Sequence, residues 1–206
     1  MSKLHGNRAF MNMKSAAAEQ MRGRDPFEVA RLAGAEYDEG EGAFILSVMG
    51  EDTKVCFPSL DIEREMDQWL ELSALHYLCN ADGAPVLHRE MKFADMSGGL
   101  ARGTKFDQLC EKEMSRVLSD KSEEELSRVF LTLGTLTYSN ADLCTVIPVL
   151  PRFPVTVKLW FADPEDDMPA SVRMMVDGSA DHYLSVEDAV TVGTFLMGEI
   201  KRLAGA

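Results

Sequence analysis

The residues best suited to chemistry lie between positions 76 and 106. His76 and Cys79 are three residues apart in a segment with helical periodicity. Neutral imidazole and thiolate are good ligands for a metal ion or a haem iron. Two ligands do not complete a metal site, however, and His76 lies among leucines and a tyrosine, where a hydrogen-bonded core histidine is the commoner outcome. We therefore predict no metal site from this pair.

Residues 98–105 form a glycine-rich segment ahead of a predicted helix. A loop of this kind can direct backbone N–H groups at an anion with the help of the helix dipole, and Arg102 and Lys105 add positive charge. The segment is not a P-loop, because that motif needs Gly-Lys followed by Ser or Thr, and here Thr104 precedes Lys105. The structural alternative is a tight turn with Gly103 as the helix N-cap.

Together these features predict a binding region for a small anionic or tetrapyrrole-like ligand. Ligand pockets are mostly apolar with a few placed polar groups, which suits the aromatic residues close to the glycines. The sequence assigns no cofactor and no catalytic residue. The predicted ligand-binding residues are His76, Tyr77, Phe93, Gly98, Gly99, Arg102, Lys105 and Phe106.

Two further clusters are better explained as turns. Residues 163–167 contain four acids, whose oxygens suit a hard cation, but the spacing and glycine of an EF-hand loop are absent. Ser179, Asp181 and His182 are close in sequence, yet a nucleophile needs its base in space, and residues on one short loop seldom arrange so. The G-x-S-x-G elbow is also missing. We expect a solvated turn and a helix cap.

Composition excludes several classes of protein. The 206 residues carry 21 Lys and Arg against 34 Asp and Glu, a net charge of −13, with no basic run that could neutralise nucleic-acid phosphates. The sequence has no run of 18 apolar residues, and the first residues lead into no apolar signal segment. The four cysteines include no C-x-x-C pair. We expect a cytoplasmic protein with free thiols and no nucleic-acid or membrane partner.

Strands and helices come in blocks rather than in strict alternation. This favours an α+β fold with a mostly antiparallel sheet packed with several helices. We predict an N-terminal helical extension at residues 1–24 and a single α+β domain at 25–206. Periodicity and end signals predict helices at 7–22, 25–34, 62–80, 104–118, 122–134 and 185–203 and strands at 43–49, 53–57, 86–91, 143–150, 155–161 and 171–176.

Several segments resemble one prokaryotic family, the domain of unknown function 3786 family, found mainly in anaerobic bacteria and archaea. The segments are Leu-His-Tyr-Leu at 75–78, Asp-Gly-Ala-Pro at 82–85, Lys-Phe-Ala-Asp-Met-Ser-Gly-Gly at 92–99, Leu-Pro-Arg-Phe-Pro at 150–154, and the runs 163–171 and 176–188. The resemblance covers residues 26–203. It implies an anaerobic cytoplasmic setting and cofactor-related work, and it transfers no catalytic residue.

The same resemblance limits what can be carried over. Some relatives have an added iron–sulfur-type domain related to corrinoid methyl-transfer proteins, and this chain has no cysteine cluster for one. The corrinoid signature D-x-H-x-x-G is also absent, which argues against direct ligation of a corrinoid.

Three functions are compatible with the sequence. The first is a binding module for a small molecule or cofactor, including one related to tetrapyrroles or corrinoids, in anaerobic metabolism. The second is a protein-interaction subunit of a redox or methyl-transfer complex, suggested by the acidic composition and methionine-rich faces. The third is an enzyme with acid–base residues around His76 and His88, which requires Asp95 and His182 to converge with them.

Overall fold

The chain folds into six α-helices, eight strands and two short 3-10 helices within the described residues. The computed structural model describes residues 2–163, 165 and 167–205. The helices are α1 (Ser2–Met21), α2 (Pro26–Ala33), α3 (Gln68–Asn80), α4 (Gly99–Leu118), α5 (Glu123–Leu133) and α6 (Val186–Leu203). The strands are β1 (Glu36–Asp38), β2 (Ala43–Val48), β3 (Glu51–Cys56), β4 (Glu90–Met91), β5 (Thr135–Leu136), β6 (Leu143–Leu150), β7 (Phe153–Trp160) and β8 (Ser171–Asp177). The 3-10 helices are Phe93–Asp95 and Ala180–His182.

Two antiparallel sheets confirm the predicted α+β fold. The smaller has the order β1-β2-β3, and the larger has the order β4-β8-β7-β6-β5. The sheets meet where the backbone N–H of Met49, just after β2, donates to the carbonyl of Val149 in β6 at 2.8 Å. One continuous core of buried apolar residues joins both sheets to the helices.

Four of the helices pack one on another outward from the larger sheet, beginning with α4. Helix α4 contacts β8, α6 contacts α4, α3 contacts α6, and α1 contacts α3. Helix α1 is held on α3 by buried apolar residues, among them Phe10, Ala17 and Met21, and by an ion pair between Lys14 Nζ and Glu71 Oε1 at 2.9 Å. No helix in the described part of the chain has the length and apolar character to cross a bilayer.

Side-chain caps fix several helix ends where the sequence predicts them. Asp25 accepts a hydrogen bond from the N–H of Phe27, Pro26 occupies the first turn of α2, and Gly34 ends it with a φ of 68°. Ser122 and Glu125 form a capping box at the start of α5, where a helix at 122–134 is predicted.

Helix α3 begins six residues later than the predicted start at residue 62. Asp67 is its N-cap and accepts from the N–H of Trp69 at 2.8 Å. Upstream, Ile62 forms an antiparallel bridge with Val55, and the N–H of Glu63 donates to the carbonyl of Lys54. Ile62 and Glu63 therefore pair with β3 instead of forming the first turn of a helix.

Strand β4 is shorter than the predicted strand at residues 86–91. The N–H groups of Leu87 and Arg89 donate to the Asp177 carboxylate, at 2.8 and 3.1 Å, and His88 between them has a φ of 54°. A side-chain acceptor therefore takes the place of a strand ladder at these residues. Pairing with β8 is confined to Glu90 and Met91.

Helix α4 begins at Gly99, five residues before the predicted start. Gly98 precedes it with a φ of 74°. A Cβ built on Gly99 would lie 2.3 Å from the carbonyl oxygen of Phe93, and one on Gly103 would lie 2.1 Å from the same atom. The backbone of the first 3-10 helix thus rests directly on the first two turns of α4. Of the glycines predicted as an anion-binding loop, Gly99 and Gly103 are helical, and Gly98 rather than Gly103 is the N-cap.

The neighbouring rings extend this close packing to α6. Phe93 and Phe106 are both buried, with ring centroids 4.5 Å apart. A Cβ on Gly193 of α6 would lie 2.6 Å from the Phe106 ring and 3.2 Å from the Phe93 ring. Farther along α4, Leu109 is 48% exposed, because the buried stripe runs through Phe106, Cys110 and Met114.

The substitution Gly103→Ala should lower the free energy of unfolding by about 2–3 kcal/mol, because the new methyl group overlaps a backbone carbonyl that has nowhere to move. Urea denaturation monitored by circular dichroism measures the change. Gly198→Ala is the matched control in helix α6, where a Cβ meets nothing within 4 Å. It should raise stability by about 0.5–1 kcal/mol. Equal effects of the two substitutions would contradict the packing described.

Candidate functional site

A cavity of about 540 Å³ opens between α1, α3, α4 and α6. Its volume falls in the range of small-molecule sites, roughly 300–1,000 Å³. Most of its apolar lining comes from α3 and α6, whereas α1 and α4 contribute one side chain each. The lining residues are Met13, Trp69, Leu72, Ser73, Arg102, Glu187, Asp188, Val190, Thr191, Thr194 and Phe195.

Helix geometry explains which side chains α3 presents. Trp69, Leu72 and Ser73 are spaced three and four residues apart, so they share one face of the helix. His76 continues the same face one turn later. Leu72 is buried and Trp69 is 37% exposed, so the wall runs from the core to the surface. Ser73 turns its hydroxyl back to the carbonyl of Trp69 at 2.9 Å.

Asp188 links this wall to α6. His76 Nδ1 lies 3.0 and 3.1 Å from the two carboxylate oxygens of Asp188, and Ser73 Oγ lies 3.3 Å from one of them. Ser185, the N-cap of α6, donates its hydroxyl to Asp188 at 2.8 Å and accepts from the Asp188 N–H at 3.2 Å. Both side chains of the His76–Asp188 pair are largely buried. The Asp188 carboxylate orients the imidazole ring of His76 through Nδ1.

Arg102 supplies the positive charge of the cavity. It lies in the first turns of α4, is exposed, and makes no ion pair with any described residue. The two carboxylates in the lining differ from each other, because Asp188 is engaged by His76 while Glu187 is exposed. The cavity can therefore offer a guanidinium group to a bound anion, and its aromatic side chains can pack against a flat apolar body.

Tyr77 lies in the core rather than in this cavity. Its hydroxyl donates to the carbonyl of Ala33 at 2.5 Å and accepts from the N–H of Arg152 at 2.9 Å. The ring stacks on that of Tyr183, with centroids 5.5 Å apart. Burial raises the pKa of Tyr77, so its hydroxyl stays protonated and able to donate.

The other predicted ligand-binding residues are divided between packing and surface positions. Phe93 and Phe106 are buried, and Gly98 and Gly99 form the start of α4 beneath them. Lys105 is exposed and does not line the cavity. The structure therefore places Arg102 in the cavity wall, and His76 beside the wall through Asp188.

His76 and Cys79 point to different neighbours. The Cys79 thiol lies 3.6 Å from the carbonyl of Ala17 in α1, whereas His76 faces α6. Burial raises the pKa of Cys79 to about 11, which keeps the thiol protonated. Across residues 2–163, 165 and 167–205, no three His, Cys, Asp or Glu side chains come together as a metal site would require. All four cysteines are free.

The acid–base residues considered in the sequence do not converge. His182 Nδ1 lies 2.7 Å from Asp82, and both side chains are about half exposed. His88 lines a different cavity, and Asp95 is exposed at the end of the first 3-10 helix. His76 faces α6.

In the two turns, the described polar side chains bind separate partners. Ser179 donates to Asp177 at 2.6 Å, Asp181 accepts from the N–H and hydroxyl of Ser97, and His182 faces Asp82.

In the acidic turn, Asp163 and Met168 pair through their backbones, and the N–H of Glu165 donates to the Asp163 side chain. Pro164 and Asp166 of that turn lie outside the described residues.

Sequence reasoning missed Asp188 and the open side of α3. Asp188 reads as a helix-capping residue, and it does cap α6, but its second role depends on a histidine 112 positions away. Trp69 and Phe195 read as core residues, because an amphipathic pattern does not distinguish a packed face from a cavity wall. The helical spacing of Trp69, Ser73 and His76 was the available signal.

The segments that carry the family resemblance contact one another. Tyr77 of the 75–78 segment binds the backbone of Arg152 in the 150–154 segment. Tyr183 donates to the carbonyl of Ala84, and Ser97 donates to Asp181. These contacts tie distant parts of the chain into one cluster beside the cavity-lining helix α3.

Comparison with known proteins agrees with this resemblance. The family model described as Domain of unknown function (DUF3786) matches residues 25–199. No curated protein and no solved structure matches the chain. The match includes α3, α4 and the cavity-lining part of α6, and it begins after α1.

Tyr77→Phe should lower the free energy of unfolding by about 2–3 kcal/mol, because the carbonyl of Ala33 and the N–H of Arg152 lose their partner in the interior. Tyr138→Phe removes the same atom from a fully exposed side chain and should change stability by less than about 0.5 kcal/mol. Denaturant titrations of both variants provide the measurement. A Tyr77→Phe protein as stable as Tyr138→Phe would show that the buried hydroxyl is not structural.

Proposed function

The chain belongs to the DUF3786 family, whose description names no activity, and from its geometry we propose that it is a small-molecule or cofactor binding module. The ligand occupies the cavity between α1, α3, α4 and α6. It is a largely apolar, flat molecule with at least one anionic group, a description that includes molecules related to tetrapyrroles.

The observation that carries this proposal is the combination of aromatic walls with one unpaired cation. Trp69 and Phe195 both line the cavity, and Arg102 adjoins it with no ion-pair partner among the described residues. Aromatic side chains favour offset-stacked or edge-on contact with another ring. A guanidinium group binds a carboxylate or phosphate through two parallel hydrogen bonds. A ligand with both a ring and an anionic group would contact the aromatic side chains and Arg102 at the same time.

The largely buried His76–Asp188 pair supports selectivity for particular ligands. His76 and Ser185 hold the Asp188 carboxylate in place, so this acceptor is fixed before any ligand arrives. An ionised carboxylate has about four acceptor positions, so Asp188 can take a further donor from a ligand and disfavours a ligand that places its anionic group there.

The setting we propose is the cytoplasm of an anaerobic cell. Four free cysteines, three of them buried, suit a reducing compartment.

The two tryptophans of the chain allow a direct test. Trp69 lines the cavity, whereas Trp160 lies at the end of β7 with its indole N–H bound to the carbonyl of Asn140. Haemin, which is flat and carries two carboxylates, is the probe. It should quench the fluorescence of a Trp160→Phe protein, in which Trp69 is the reporter, at lower concentrations than it quenches a Trp69→Phe protein.

Arg102→Gln should weaken haemin binding about tenfold, because the charged hydrogen bonds to the ligand are lost. Lys105→Gln is the matched control, since it removes the same charge from an exposed position of α4 outside the cavity. Equal weakening by the two variants would show non-specific attraction. Absence of saturable quenching by haemin, together with a featureless visible spectrum of anaerobically purified protein, would refute the binding function.

A further inference from the structure

We propose a second binding site, on the outer face of the larger sheet, for a small molecule that carries a phosphate group. The site is a cavity of about 300 Å³. Arg89 and His88 stand at one side of it, and hydroxyl side chains from β7 and from the segment after β5 stand at the other. It shares no lining residue with the cavity between the helices.

The strand pattern places this cavity on the side of the sheet away from the core. Val155 and Val157 of β7 are fully buried, and the residues that alternate with them, Pro154 and Thr156, are partly exposed. Alternate residues of a strand point to opposite faces. Thr156 is the register partner of Val146 in β6, and both line the cavity. The floor of the site is therefore sheet, and its rim is the neighbouring loops.

The carboxylates in the lining are already engaged. Glu90 accepts from Lys158 Nζ at 2.7 Å, and this lysine is buried. Asp177 is surrounded by donors. Its carboxylate accepts from the N–H groups of Leu87, Arg89 and Ser179 and from the Ser179 hydroxyl, at 2.8, 3.1, 2.9 and 2.6 Å. Burial alone would raise the pKa of Asp177, but these hydrogen bonds outweigh it and lower the pKa, so the carboxylate keeps its charge within its own set of donors.

The cationic side of the site is unpaired. The Arg89 guanidinium lies against Gly178, where a Cβ would be only 2.9 Å from Nε, and it makes no ion pair among residues 2–163, 165 and 167–205. The imidazole of His88 likewise has no hydrogen-bond partner within the described residues. An acidic protein that leaves two adjacent basic side chains without an acid partner leaves them available to an external anion.

Chemistry favours phosphate as that anion. The guanidinium fork matches two phosphate oxygens, and hydroxyl groups can donate to the third. Ser139 and Thr156 bring such hydroxyls to the cavity, whereas the Thr137 hydroxyl donates to Cys144 Sγ at 3.9 Å. The net charge of −13 repels anions at long range, but at physiological ionic strength charges more than about 8 Å away are largely screened. The adjacent groups therefore decide binding.

Phosphorus-31 NMR titration of the full chain with phenyl phosphate tests the site. The wild-type protein should broaden and shift the resonance in a saturable way with a Kd near or below about 1 mM. Arg89→Gln should weaken binding about tenfold by removing the charged donors. Arg116→Gln, which removes the same charge from an exposed position on α4, should leave the Kd unchanged.

Two further substitutions remove polar groups of the site while preserving the local backbone preference, so that a loss of binding is not a loss of folding. His88→Asn keeps a residue that tolerates the left-handed backbone at this position while removing the imidazole. Thr156→Val keeps the shape and strand preference of the side chain while removing its hydroxyl. Both should weaken phenyl phosphate binding with unchanged circular dichroism. No saturable binding, binding unaffected by Arg89→Gln, or acetate binding as tightly as phenyl phosphate would each overturn the proposal. Haemin quenching at Trp69 is independent of all three results.

Discussion

The close approach of the Phe93 backbone to α4 determines much of the architecture. With no space for a Cβ at Gly99 or Gly103, the 3-10 helix and α4 are locked in one register. Phe93 and Phe106 then fit against Gly193, which fixes the distance between α4 and α6. Each helical glycine costs roughly 1 kcal/mol relative to alanine, and the contact it permits offsets that cost. The position of Arg102, one residue before Gly103, follows from this register.

Buried polar contacts perform a second organising task. Tyr77, in the last turn of α3, donates to the carbonyl at the end of α2 and accepts from an N–H in the β6–β7 corner. Asp188, at the start of α6, is hydrogen-bonded through its carboxylate to His76 Nδ1 and to the Ser185 hydroxyl. The bonds of Tyr77 and the His76–Asp188 pair each join segments more than 40 residues apart and pair polar groups in the interior, as a low dielectric requires. Through the consecutive residues His76 and Tyr77, the two contacts join the later part of α3 to α6, to the end of α2 and to the β6–β7 corner.

The sequence predicts local features well and mutual placement poorly. Caps at Asp25, Ser122 and Ser185 are correct because each depends on residues two or three positions away. The start of α4 is wrong because glycine disfavours helices in isolation, and only the contact with Phe93 makes it acceptable. The candidate site shows the same contrast between residue types, which the sequence reveals, and contacts between distant residues, which it does not. Arg102 and His76 are recognisable by residue type, but the partner of His76 comes from a helix that begins 110 residues later, which no local pattern reveals.

Helix α1 gives the cavity an asymmetric construction. The residues matched by the family model supply Trp69, Arg102 and Asp188, whereas Met13 belongs to a helix ahead of the match. Helix α1 packs mainly on α3, and Met13 on its partly exposed face is 42% exposed at the edge of the cavity. Methionine adapts its shape readily. Sequence change in α1 can therefore alter the width of the cavity at Met13 while Trp69, Arg102 and Asp188 stay unchanged.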